Sequence, residues 1–333
     1  MKHVFVINSH TTFLTSMGAV EYLKLQDEDV IFIYTRDYCN EVSHVPFKIV
    51  DGTEMADACK NMGKDYKGYI RKTDDFINQN IEGKYSLYVP HLWNYFFQLL
   101  YTNKKCRRVS YVQEGGPVQT KVFEYDVPLV ERAKSFIRHA ILGRRTFECK
   151  WYKRGTLYKQ CHVDAYALND NYFRPMYPRT HIVKWPQVKL DIAIDSDAPI
   201  FIFDGHIANG HVEPDVYLKC CEQMIFENAK SNNYIKFHPA QLKEERESIL
   251  CYFKKENCNV EIMRDDIPVE YVIIQLKDLT FIGFTSSLLY YAHDNGHSVV
   301  CYEEQLTEAS EKYRTHVKVC GFQTYFETYL QHE

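Results

Sequence analysis

Short apolar runs recur along the chain, each closed by polar or turn residues and followed by a stretch of helical period. Val4–Ile7 comes first, with the length and β-branched content of a buried strand. It runs into Asn8-Ser9-His10-Thr11-Thr12, read as a polar loop, and then into a helix-like stretch from Phe13 to Leu25. Val30–Tyr34, Phe47–Val50, Tyr85–Val89 and Val109–Val112 are the next strands, with a helical pattern between the second and third of these. The last of them ends at Gln113-Glu114-Gly115-Gly116-Pro117. Strands that are apolar throughout and separated by helices predict a parallel sheet covered on both faces.

Between Tyr177 and Pro199 the periodicity fails, and Pro178, Pro186 and Pro199 punctuate a polar stretch that reads as a linker. The alternation then restarts. Ile200–Phe203 leads into Asp204-Gly205-His206, Tyr234–Phe237 ends at His238-Pro239, and Val260–Met263, Thr280–Ile282 and Val299–Tyr302 continue the series. The expected fold is α/β: two tandem Rossmann-like doubly wound domains facing across a cleft. Residues 1–180 form the first and 181–315 the second, with 316–333 a C-terminal segment packing back on the first domain. Ligands of such sheets bind outside the carboxyl ends of the strands, where every polar loop just named is expected to lie.

The 333 residues leave room for about two domains. With 45% hydrophobic and 25% charged residues the composition is that of an ordinary globular protein, which excludes disorder, collagen and a coiled coil. Lys and Arg number 40 against 44 Asp and Glu, and a net charge of −4 argues against a general nucleic-acid binder. The 26 Tyr and 20 Phe make the chain 15% aromatic. Such rings suit a sugar-binding or membrane-facing surface and a tyrosine-rich core equally well. The 11 Cys are odd in number, none in C-x-x-C spacing, and Cys220-Cys221 are adjacent. That favours reduced thiols in a cytosol over a disulfide framework or a zinc site. The opening Val4–Ile7 has four apolar residues where a signal peptide needs about 7–15, and no stretch approaches the roughly 18 needed to span a bilayer. A soluble, cytoplasmic protein is expected.

Four strand tips carry candidate chemistry. His238, held by a strand and stopped by Pro239, can donate to a phosphate or act as an acid near neutral pH; the alternative is a loop histidine with a structural bond. Thr285-Ser286-Ser287 stand between a strand and a helix, where hydroxyls and free N–H groups make an anion site, although one of them would serve as a plain N-cap. Glu270 sits in the first turn of a helix-like run, favoured there by the dipole or placed to accept bonds from a ribose diol. Glu114, beside flexible glycines, is either a turn carboxylate or a base for an attacking hydroxyl.

In combination these motifs resemble bacterial GT-B-fold sialyltransferases of the capsule, O-antigen and lipooligosaccharide type. Those carry an acidic-acidic-Gly motif, a His-Pro motif and a Ser-Ser or Ser-Thr motif, matched in order by Gln113-Glu114-Gly115, His238-Pro239 and Ser286-Ser287. The opening Val6-Ile7-Asn8-Ser9-His10-Thr11-Thr12 also looks like the first strand and loop of such enzymes. The resemblance implies a CMP-sialic acid donor and a single inverting displacement. Lys236 and Pro239 would lie near the cytosine, Glu270 on the ribose, and His238, Ser286 and Ser287 on the phosphate, with Thr285 beside them. Asn8, Ser9, His10 and Thr11 would approach the sugar. In several of these families the base is the first acidic residue of its motif. Here that place is taken by Gln113, so either Glu114 takes the role or the register of the match is off by one.

The implied chemistry needs no metal or other cofactor, because positioned donors can stabilise a departing phosphate monoester. Two Asp-x-Asp matches, Asp27-Glu28-Asp29 before a strand and Asp195-Ser196-Asp197 in the linker, read as solvated turn charges. The acceptor is expected to be a galactose-containing, lipid-linked glycan, its sugars met by His91, Asn94 and Trp93 or Tyr95. Arg132–Lys159, rich in Lys, Arg and aromatics, suits the cytoplasmic face of the inner membrane or a solvated helix equally. The chain's modest size and lack of a long basic groove lean towards a single addition. CDP-glycerol glycerophosphotransferases also resemble the C-terminal half, but theirs is usually a Thr-Asp-Tyr where Gly283-Phe284-Thr285 stands here. Another GT-B enzyme, a nucleotide-sugar epimerase and a non-catalytic nucleotide or glycan binder are the remaining readings.

Overall fold

The computed structural model of the chain describes residues 1–115 and 163–320, apart from 37, 39–44, 61–65, 93, 171, 174–178, 188–192 and 265–266, together with 130, 133, 134, 137, 140 and 141. The chain divides into two compact units, Met1–Pro186 and Gln187–Glu333.

The first unit is built on a seven-stranded sheet: β1 (Lys2–Ile7), β2 (Val30–Tyr34), β3 (Lys48–Asp51), β4 (Tyr85–Val89), β5 (Cys106–Val112), β6 (Asp164–Ala167) and β7 (Arg179–Ile182). Its order is β3-β2-β1-β4-β5-β6-β7, and every neighbour pair runs parallel. The helices described within it are α1 (His10–Tyr22), α2 (Thr53–Lys60), α3 (Tyr66–Asn80) and α4 (Tyr95–Thr102). The chain winds outward from β1 to β3 and then returns to the other side of β1 with β4. Right-handed crossovers therefore place helices on opposite faces and open a crevice beyond the carboxyl ends of β1 and β4.

The second unit repeats the scheme with five strands: β8 (Ile200–Phe203), β9 (Asn232–Phe237), β10 (Asn259–Ile262), β11 (Thr280–Gly283) and β12 (Ser298–Cys301). The order β10-β9-β8-β11-β12, again all parallel, puts the reversal between β8 and β11. Its helices are α5 (Pro214–Asn228), α6 (Lys243–Lys255), α7 (Val269–Gln275), α8 (Ser287–Asp294), α9 (Glu303–Ala309) and α10 (Glu311–Cys320). Two Rossmann-like units in tandem agree with the expected fold class.

Three expectations need correction. The supposed linker contains β7, an Arg-Thr-His-Ile edge strand with no buried residue, whose polarity hid it from an apolar pattern. The boundary accordingly falls at Pro186 rather than near residue 180. The loop after β1 is shorter than expected, because Ser9 accepts a bond from Thr12 N–H and starts α1 at His10. Finally, Tyr313 and Val317 of α10 are buried in the core of the second unit, so residues 316 and 317 do not begin a segment packing on the first; residues 321–333 lie outside the described ones.

Most of the aromatic excess is core. Tyr85, Tyr111, Tyr217, Tyr271, Tyr291 and Tyr313 are among the largest fully buried side chains, and Tyr290 is buried too. In the stretch considered for acceptor binding, Tyr88 stacks on Phe5 with centroids 4.1 Å apart, and Phe96 and Phe97 are buried. Trp93 and most of Arg132–Lys159 lie outside the described residues; of the latter, Ile137 and Ile141 are exposed. The described cysteines are free thiols, and no described helix is long and apolar enough to cross a membrane.

Helix α1 packs against the segment after β7. Trp185 Nε1 donates to Thr15 Oγ1 at 3.1 Å, and a Cβ at Gly18 would lie 2.4 Å from the Lys184 carbonyl oxygen. That partner is backbone and has little room to move, so Gly18→Ala should destabilise the first unit by about 1–3 kcal/mol, the usual cost of overpacking. A lower urea midpoint at unchanged slope is the expected reading.

Candidate functional site

Each unit gathers polar residues at its strand tips. In the first, Asn8 follows β1, His91 follows β4 and Glu114 follows β5. Glu114 Oε1 accepts from Asn8 Nδ2 at 2.6 Å and from Arg36 Nη1 at 3.0 Å, and His91 Nε2 stands 3.4 Å from Oε2. Asn8 is oriented by a chain of hydroxyls: Thr12 Oγ1 donates to Asn8 Oδ1 at 2.6 Å, and Ser9 Oγ lies 2.6 Å from Thr12 Oγ1. With its carbonyl oxygen so engaged, the Asn8 amide nitrogen turns to the carboxylate. Burial holds the His91 imidazole below its ordinary pKa, although Glu114 opposes this, so His91 is neutral at pH 7.

Gln113 is 2% exposed. Its backbone N–H donates to the Tyr166 carbonyl at 3.0 Å, and its Oε1 accepts from Leu168 N–H at 2.9 Å. It closes the β5–β6 edge, and strand alternation then turns Glu114 outward. The phenol of Tyr172 bonds both the N–H and the C=O of Glu114, which fixes that peptide.

The other first-unit candidates divide. Ser9 caps α1; His10 sets its ring edge-on to Tyr38 at 5.1 Å; Thr11, 4% exposed, is buried in the first turn. Asn94 caps α4, accepting from Phe96 N–H at 2.8 Å, while its Nδ2 donates to the Ala56 carbonyl at 3.1 Å. Tyr95 packs against the core of the unit.

In the second unit, the tips of β8, β9 and β11 border a pocket of about 100 Å³ lined by Asp204, Lys236, His238, Pro239, Ser286 and Leu288 over the apolar ends of β8 and β9. His238 Nδ1 accepts from Ala240 N–H at 3.1 Å, which leaves the proton of the neutral ring on Nε2. Burial, helped by Arg246, lowers its pKa. The ring fits because residue 205 is glycine: a Cβ there would lie 2.9 Å from His238 Nδ1.

Ser286 caps α8, its Oγ accepting from Leu288 N–H at 3.4 Å, and its own proton remains available to a ligand. Ser286 is thus the N-cap and also lines the pocket. Lys236 lines the pocket and sends Nζ to the Arg264 carbonyl at 3.0 Å. Thr285 does not line it; its hydroxyl is 2.5 Å from the Tyr313 hydroxyl and ties β11 to α10. Ser287 and Glu270, the latter in the first turn of α7, are also outside the lining. Asp27-Glu28-Asp29 forms a 3-10 turn before β2, and Asp195 Oδ1 accepts from Asp197 N–H at 3.0 Å. No group of three or more His, Cys, Asp or Glu able to hold a metal ion occurs among the described residues.

Sequence reasoning overlooked Arg36, Tyr172 and Asp204. Asp204 had a legible signal, since it follows a buried strand as His238 does. Arg36 has a left-handed backbone, φ +60, which costs a non-glycine residue roughly 1–2 kcal/mol and which no local pattern announces.

Residues 199–299, under a third of the chain, match the family model described as alpha-2,8-polysialyltransferase. The stretch contains Asp204, His238, Glu270, Ser286 and Ser287, and the match supports a glycosyltransferase of sialyltransferase type. A search of the curated proteins finds no match. Among solved structures the chain is similar to E. coli ADP-heptose LPS heptosyltransferase II at 10% identity, covering 90% of this chain and 84% of that one, with a TM-score of 0.43. It is similar to the S. aureus MnaA–UDP co-structure at 9% identity, with coverages of 96% and 88% and a TM-score of 0.49. The UDP-GlcNAc 2-epimerase of Methanocaldococcus jannaschii follows at 10% identity, coverages of 93% and 91%, and a TM-score of 0.44. The sheet orders themselves, rather than these likenesses, establish the architecture of each unit.

The His238 geometry makes a spectroscopic prediction. Long-range ¹H–¹⁵N spectra should show the Nε2–H tautomer at pH 7–8, with charging only below the usual histidine midpoint of about 6.5, because a lowered pKa keeps the ring neutral as pH falls. Gly205→Ala should displace the ring and break the Ala240 bond, seen as a mixture of tautomers.

Proposed function

We propose that this chain is a metal-independent inverting sialyltransferase. In this reading it moves sialic acid from CMP-sialic acid to a hydroxyl of a galactoside-type, lipid-linked glycan in bacterial surface polysaccharide biosynthesis, at the cytoplasmic face of the inner membrane. The observation that carries the reading is the family match over residues 199–299, coupled to a pocket in that stretch where His238 and Ser286 stand together.

Glu114 is the base. Its Oε1 is occupied by Asn8 and Arg36, and its Oε2 takes the proton of the acceptor hydroxyl. The freed oxygen attacks the anomeric carbon of the sialyl group as the bond from that carbon to the phosphate oxygen breaks. The configuration inverts and CMP leaves. His238 Nε2–H and the Ser286 hydroxyl donate to the departing phosphate, which develops charge as the bond opens. With these donors in place the step requires no metal, and turnover should survive EDTA.

The family description favours one further reading, in which the acceptor is itself a sialyl group and the product lengthens. Product mass on a defined acceptor separates a single addition from a series.

Incubation with CMP-sialic acid and a galactose-terminated acceptor should release CMP above background; no release, with or without acceptor, sinks the reading. Glu114→Gln and His238→Ala should each lower turnover by about 10²–10⁴-fold, the usual contribution of a positioned acid or base. If Glu114→Gln retains near-wild-type turnover while His238→Ala loses it, the base is another residue and the donor assignments stand.

A further inference from the structure

We propose that Asp204 works as a neutral carboxylic acid, the third hydrogen-bond donor to the phosphate of a nucleotide held at the tips of β8, β9 and β11. The proposal rests on reading that pocket as the nucleotide site, and it adds a residue that the motifs do not contain.

Asp204 is the first residue after β8, at the point where the winding of the second sheet reverses. It lines the pocket with His238 and Ser286, yet it is only 8% exposed. Its peptide is fixed by the Tyr217 phenol, which accepts from Asp204 N–H at 3.2 Å and donates to its C=O at 3.4 Å. Its Oδ2 is buried and has no hydrogen-bond partner among the described residues. The closest approach recorded for it is to His206 Nε2 at 3.8 Å, too far to bond.

A buried carboxyl oxygen without a donor is an unfavourable place for charge, since desolvation penalises the ionised form. The surroundings deepen this. Glu245 of α6 is itself 4% exposed; its Oε1 accepts from Gln241 Nε2 at 2.6 Å, and its Oε2 has no hydrogen-bond partner among the described residues. Two buried carboxyls coupled to one another cannot both ionise cheaply. Burial, with Glu245 second, raises the Asp204 pKa well above the ordinary carboxylate range. The other groups coupled to Asp204 do not offset this. They are Tyr217 and Cys221 of α5, Cys301 of β12 and Tyr313 of α10, all neutral and all pushed up by burial. His206, in the same loop as Asp204, has its pKa pushed down to about 3 by burial and is uncharged. His238, across the pocket, is neutral at pH 7, and the Lys236 amine is bonded to the Arg264 carbonyl.

A carboxylate facing a phosphate would repel it. The protonated form instead completes a set of three donors: His238 Nε2–H, Ser286 O–H and Asp204 O–H. Binding and protonation are then linked, and the sign follows from the raised pKa. The proton is present at neutral pH and is lost as pH rises, and affinity falls with it.

Calorimetric titration of the full chain with CMP and, separately, with inorganic phosphate from pH 6 to 9 tests this. Asp204→Ala should weaken CMP binding about tenfold or more, the worth of one hydrogen bond to a charged group. Asp204→Asn keeps a donor of the same shape that does not titrate. It should restore what alanine loses and remove the alkaline fall seen in wild type beyond the ligand's own titration. The proposal is overturned if Asp204→Asn loses as much as Asp204→Ala, which would mean that a carboxylate is required as base or cation ligand. It is equally overturned if Asp204→Asn keeps the full alkaline fall, or if Asp204→Ala binds like wild type. Binding of phosphate but not CMP sinks the sialyltransferase reading while the same variants still test Asp204 with phosphate. Binding of neither removes both.

Discussion

A parallel strand that stops at its carboxyl end leaves the next peptide without a ladder partner, and a buried peptide group left unpaired costs about 1–3 kcal/mol. That constraint falls hardest where the chain must also expose a working side chain. Both units meet it in the same way. A tyrosine phenol comes in from elsewhere in the unit and bonds both the N–H and the C=O of a residue just past the strand, the second after β5 and the first after β8. Tyr172 does so for Glu114, and Tyr217 for Asp204. A third phenol, Tyr313, holds the Thr285 hydroxyl at the tip of β11. The tyrosine excess is thereby accounted for in large part by the interior. These rings fill core volume and spend their polar edge on strand ends, so the side chains at those ends are held by buried bonds rather than by flexible loops.

Legibility in the sequence follows burial. β2, β4 and β8 were readable to the residue because each is a mostly apolar and almost wholly buried run, broken only by Ser86 in β4, as Val30–Tyr34, Tyr85–Val89 and Ile200–Phe203 show. β6 and β7 were not. β6 is Asp-Ala-Tyr-Ala, and its buried Asp164 is neutralised by Arg179 at 3.0 Å and bonded by His181 at 2.9 Å, both on β7. A strand pair held together by a charge cluster carries no hydrophobic period, and the pairing partners are too far apart in sequence for either to announce the other. The early start of α1 escaped for a related reason. Thr11 and Thr12 look like loop residues, but both are buried in the first turn, and the Thr12 hydroxyl is held in the Ser9–Thr12–Asn8 chain.

The candidate site was legible where chemistry and strand tip coincide. His238 and Ser286 stand directly after buried runs and border one pocket. Thr285 and Asn94 were harder to read because a hydroxyl or amide at an element end has two uses, ligand contact and local bond; the local bonds are to Tyr313 for the one and to Phe96 and Ala56 for the other. Gln113 shows the reverse. As a departure from an acidic motif it cast doubt on the match, yet its amide closes the β5–β6 edge with a bond to Leu168. A carboxylate at that position could accept the same bond but would bring a charge into a place where Gln113 is 2% exposed. The polarity of the motif is thus divided between a structural amide and an outward-facing Glu114.

The two clamped carboxyls differ in what surrounds them, and that difference assigns their chemistry. Glu114 is met by donors, Asn8 Nδ2 and Arg36 Nη1, at a tip where side-chain exposure reaches 21%. Among the described residues Asp204 is met by no donor at Oδ2, and a second buried carboxyl, Glu245, is coupled to it. The same backbone device therefore presents one group suited to accept a proton and another suited to offer one. Placing each at a strand end fixes its position through the sheet. Burial first, and Glu245 second, then hold the Asp204 carboxyl well above the ordinary carboxylate range.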